Sequence, residues 1–154
     1  MRNRGATWVA VLCSAALLAA CAAGGGGRPP LPETSEGVRA FAELEVPESA
    51  GDLDIAAAYT DRGTARYQGS FTTGHVDAMA FCGAEGMTVV RHPETDVPED
   101  TRERLGIEDD GVTGYVVCAG ARPDAPRLRR EVVVVYAPGT VRVYFRAEER
   151  PPGT

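Results

Sequence analysis

Residues 132–145 read VVVVYAPGTVRVYF. Val132 to Val135 are four consecutive β-branched residues, so no polar face is left for solvent. Such a run predicts a central strand over 132–136, buried on both sides. Ala137-Pro138-Gly139-Thr140 then sets Pro and Gly in the order of a type II turn. Val141, Val143 and Phe145 alternate with Arg142, Tyr144 and Arg146, which gives a second strand with one inward face. The two make an antiparallel hairpin in which Tyr144 is expected to point outward.

Residues 52–59 (DLDIAAAY) place Leu53, Ile55, Ala57 and Tyr59 on one face. The turn at Thr60-Asp61-Arg62-Gly63 leads into 64–71 (TARYQGSF), where Ala65, Tyr67, Gly69 and Phe71 face inward. This is a second hairpin. Residues 114–119 (GYVVCA) form a fifth strand, and 87–91 have strand character. Thr72 and Thr73 are placed to cap a helix starting near Gly74, with Val76, Met79, Ala80 and Gly83 as its apolar stripe and Gly86 as its left-handed stop. Residues 35–46 read as a short helix, capped by Ser35, that passes into extended chain before Pro47. Residues 92–111 are polar and irregular, with one or two helical turns over 98–105, and 122–126 are a loop. The sum is one α+β domain over 36–148, followed by a polar tail over 149–154. Its sheet is mostly antiparallel, of about five strands, with a helix packed on one face and one disulfide.

The N-terminus carries a different signal. Arg2 and Arg4 precede fifteen uncharged residues, 6–20, which suits the apolar core of a signal peptide and is short for a membrane span. The run closes on Leu18-Ala19-Ala20-Cys21. This resembles the lipobox of bacterial lipoproteins. The resemblance implies removal of residues 1–20 and a diacylglyceryl group on the Cys21 thiol, with the chain lipid-anchored on the extracytoplasmic face of the cell membrane. Two acyl chains suffice for lasting attachment. Residues 21–35, with four glycines at 24–27 and prolines at 29, 30 and 32, read as a flexible tether. In style the whole is similar to the small lipoproteins of actinobacteria, although no motif of the mature part carries that likeness.

The sixteen basic residues are all arginine. Arg2 and Arg4 leave with the signal, so fourteen arginines face 22 carboxylates and the net charge goes from −6 to about −8. An acidic surface argues against nucleic acid as a partner and against polybasic docking on a membrane. Of the four cysteines, Cys13 leaves with the signal and Cys21 is the anchor. Cys82 and Cys118 remain, an even pair in an exported chain, and are expected to form a disulfide between the helix and a strand.

No cofactor and no metal site is expected. Ser70, His75 and Asp77 hold the residue types of a hydrolase triad, yet lack the GxSxG turn that would expose the serine. His75, His92 and Cys82 match no familiar metal spacing. Glu99-Asp100 and Glu108-Asp109-Asp110 are adjacent carboxylates without the alternation of a Ca²⁺ loop. Arg127, Arg129 and Arg130, with Tyr144, are the candidate contacts for an anion or a partner. The expected function is a non-catalytic binding or interaction module of the cell envelope, meeting an envelope protein or wall component. The alternative is a small envelope hydrolase acting on wall or lipid substrates, built on carboxylate pairs or on His75 and His92. A two-lobed solute-binding protein needs a longer chain.

Overall fold

The computed structural model describes residues 28–153. The signal segment, Cys13 and Cys21 lie outside the described residues. In chain order the elements are α1 (Ser35–Ala42), β1 (Gly51–Tyr59), β2 (Ala65–Thr72), α2 (His75–Cys82), β3 (Met87–Pro93), α3 (Glu99–Leu105), β4 (Gly114–Arg122), β5 (Ala125–Ala137) and β6 (Thr140–Glu149). The six strands form one sheet in the order β1-β2-β6-β5-β4-β3, with every neighbouring pair antiparallel.

The valine run explains the layering. Val132 and Val134 enter one core with α1 and α2, while Val133 and Val135 enter a second core on the opposite face. Leu105, at the end of α3, belongs to that second core, with Val97, Ile107, Tyr115 and Tyr144. A strand apolar on both sides must be covered on both, so helices lie on two faces rather than one. The sixth strand is β3, at an edge of the sheet. The first core centres on Phe71, Phe81 and Phe145, whose ring centroids lie 5.0 to 6.5 Å apart. Phe145 takes the space above its cross-strand partner Gly69, where a Cβ would come within 2.8 Å of the ring.

Local chemistry sets the helix ends. Thr34, one residue before the expected cap, accepts the Gly37 N–H at 3.1 Å and starts α1. Gly74 occupies the cap position of α2, and Thr73 Oγ1 instead lies 2.8 Å from Ser49 Oγ. α2 buries Ala78, Phe81 and Cys82 and leaves Val76 78% exposed, a rotation away from the expected stripe. Phe81 is the bulkiest apolar side chain of the helix, and Cys82 is covalently tied down, so these two set the rotation. The helix stops at Gly83, and Gly86 uses its positive φ of 78° in the turn to β3.

Part of the expected tether belongs to the domain. The Arg28 guanidinium lies 5.2 Å from the Tyr59 ring centroid, and Tyr59 Oη donates to the Pro29 carbonyl at 3.2 Å. The Ala57 N–H donates to Glu33 Oε1 at 3.3 Å. Residues 28–33 therefore run beside β1, touching it at Ala57 and Tyr59.

Candidate functional site

Cys82 and Cys118 are joined in a disulfide that links the end of α2 to β4, with Cα atoms 5.4 Å apart. The basic cluster divides. Arg127 and Arg129 are exposed on β5, whereas Arg130, expected as a surface contact, is only 2% exposed. Arg130 Nη1 donates to the Ala42 carbonyl at 3.1 Å, and Nη2 donates to the carbonyls of Ala121, at 3.0 Å, and Glu85. Burial lowers its pKa from the ordinary arginine value. Its side chain falls on the face of Val132 and Val134, where the chain beyond α2 crosses β4 so closely that a Cβ on Gly120 would lie 1.9 Å from the Gly86 oxygen. Tyr144 is also inside, at 6% exposure, because α3 covers the face it occupies. Its Oη donates to Asp109 Oδ2 at 2.7 Å, and burial followed by this contact raises its pKa. Arg102 Nη2 donates to the Asp109 carbonyl at 3.0 Å. The acidic loop is thus fastened to the second core.

Ser70, His75 and Asp77 do not converge. Ser70 lines a groove on the α3 side with Asp54, Gln68 and Tyr144. Asp77 accepts from Ser49 Oγ at 2.5 Å, and His75 Nδ1 lies 3.1 Å from Tyr136 Oη. Among the described residues no three His, Cys, Asp or Glu side chains gather as metal ligands.

A cleft of about 370 Å³ lies where α2 begins and β3 ends. Register builds it: Pro93 pairs with Gly114, and Gly114 pairs with Tyr136. The start of β4, the end of β5 and the end of β3 therefore meet at one level. Val116, Pro93 and the Tyr136 ring supply apolar lining, and Arg91, Glu94 and His75 supply polar groups. Thr113 holds the floor, its N–H and Oγ1 donating to the Tyr136 carbonyl at 2.8 and 3.1 Å. Burial raises the Tyr136 pKa, while nearby Arg91 opposes it. The Tyr136 phenol also reaches Met79 Sδ at 3.6 Å.

Both histidines border this cleft, but their rings lie on opposite faces. His75 lies beside Tyr136, which packs against the first core, and His92 stacks on Tyr115 of the second core with centroids 4.5 Å apart. Arg91 has no carboxylate within 4.0 Å among the described residues. An apolar floor with an unpaired cation and two hydrogen-bonding rings can hold a small polar or anionic group. Arg91 and Tyr136 carry no sequence signal of this role, because only the strand register brings them beside His75. No protein-family profile, curated protein or solved structure matches this chain.

Proposed function

We propose that this chain is an exported lipoprotein, held at the extracytoplasmic face of the cell membrane by acyl chains on Cys21, whose domain is a non-catalytic binding module of the envelope. The observation that carries the reading is Leu18-Ala19-Ala20-Cys21 at the end of an uncharged run behind Arg2 and Arg4. The disulfide supports it, since such bonds persist in oxidising compartments. The cleft beside His75 offers the binding module a ligand site.

In cells fed a labelled fatty acid, the wild-type chain takes up label and sediments with membranes. Cys21→Ser loses the label, and loses sedimentation once membranes are washed at high salt, because one side-chain atom carries the thioether. A Cys21→Ser chain that still sediments and still takes up label ends the proposal.

A second reading is a small envelope hydrolase, favoured by one observation: His75 and His92 border the same cleft. It requires turnover of an activated ester by the purified chain that disappears in His75→Ala. No turnover leaves the binding module.

A further inference from the structure

We propose that one end of the sheet, carrying Arg28, Arg62, Arg66, Arg127, Arg129 and Arg150, is a docking surface for the anionic headgroups of a lipid bilayer. Strand register brings these residues together. β1 ends at Tyr59 opposite Ala65, with Arg62 in the turn between them. Arg66 pairs with Glu148, and Glu148 pairs with Arg129 on its other side. The Arg150 N–H donates to the Arg127 carbonyl at 2.9 Å. Arg28 joins them through the Tyr59 ring.

These arginines are available. All except Arg66 are exposed, and none of the six has a carboxylate within 4.0 Å among the described residues. The carboxylates nearby are largely engaged. Asp124 pairs with Arg122, Glu131 with Arg104 and Glu148 with Arg146. Glu33 accepts from Ala57 and keeps its charge, so Glu33 opposes the six cations together with the exposed Asp61 and Glu149. Much of the chain's acidity lies elsewhere. Glu43, Glu45, Glu48, Asp77 and Glu85 line a separate groove against α2. The net charge therefore conceals a separated distribution, and a local field depends on the separation rather than the sum.

The partner follows from where the chain leaves the domain. Residues 28–33 lie along β1 and reach this end at Arg28, so only residues 22–27 separate the domain from Cys21. Six residues span at most about 21 Å when extended and roughly 13 Å as a flexible coil. Basic side chains attract anionic headgroups within a Debye length, about 8 Å at physiological salt. A lipid on Cys21 would hold this end at the bilayer. The orientation thus rests on the anchor, but the attraction does not, and it can be measured without the lipid.

The test is vesicle co-sedimentation of the mature chain carrying Cys21→Ser. Vesicles with 30 mol% phosphatidylglycerol should bind it at least about tenfold more strongly than pure phosphatidylcholine vesicles at low salt, and added salt should remove the difference. The triple change Arg127→Ala, Arg129→Ala and Arg150→Ala should bring binding down to the phosphatidylcholine level. The same three sites as lysine should keep most of it, which separates charge from folding. Arg102→Ala with Arg142→Ala, two arginines that meet Asp109 at the opposite end of the sheet, should leave binding unchanged. Equal binding to both vesicles overturns the proposal, as does an equal loss in the Arg102 and Arg142 control. Full competition by inorganic phosphate at constant ionic strength also overturns it, because it marks a free-phosphate site. None of these outcomes depends on acylation, so failure here is distinct from failure of the lipid anchor.

Discussion

Arg130→Ala should lower the unfolding free energy by about 3–5 kcal/mol, read as a lower urea midpoint at unchanged slope. Among the described residues the guanidinium is the sole side-chain donor to the carbonyls of Ala42, Glu85 and Ala121. These belong to the end of α1, the connection after α2 and the end of β4. One planar group therefore ties three segments that share no strand ladder at that point. Removing it leaves buried acceptors unpaired, at a cost of roughly 1–3 kcal/mol for each one that water cannot reach. Arg130→Lys keeps a charge but places one ammonium where two nitrogens served three acceptors, and should recover less than half of the loss. Arg130→Met keeps most of the apolar stem and none of the donors. If Arg130→Met is as stable as the parent, the side chain works by packing and the hydrogen-bond account is wrong.

Arg130 also shows where reading the sequence stops. In the run Arg127-Leu128-Arg129-Arg130 nothing distinguishes the third arginine, and charged clusters are ordinarily solvated. Its burial follows from alternation. β5 begins at Ala125, well before the valines, so residue 130 falls on the same face as Val132 and Val134. The polar first half of that strand hid its extent. The hairpin of β5 and β6 was legible because four valines and a Pro-Gly turn leave few alternatives. Tyr144 misled because alternation assigns a face but not what covers it. The cover comes from α3, whose sequence EDTRERL has little apolar content, and whose second core is filled by Val97, Leu105 and Ile107 at irregular spacing. The cleft of His75, Arg91 and Tyr136 could not be read at all, since its members come from α2, β3 and β5. The arginine end was likewise invisible in a net charge, which sums over positions that the register separates.

Reduction of the Cys82–Cys118 bond, or the pair Cys82→Ala and Cys118→Ala, should cost about 4 kcal/mol and lower the melting temperature by roughly 15 °C. The bond closes a separation of 36 residues, and in the chain-entropy account it acts by restricting the unfolded chain. A domain of this size has about 5–15 kcal/mol in total, so the loss is a large share. The effect should also be local. α2 has eight residues and no side-chain cap, and an isolated helix that short does not persist in water. It stays on the sheet through Ala78, Phe81 and the sulfur bridge. Loosening it moves His75 away from Tyr136 and opens the cleft, so the reduced chain should show freer exchange at the α2 amides before it unfolds globally. The arginine end is built from β1, β2, β5 and β6 and needs no contact with α2, so vesicle binding should persist while the reduced chain remains folded. An unchanged melting temperature on full reduction would show that packing alone holds α2, and the link between redox state and the cleft would fall with it.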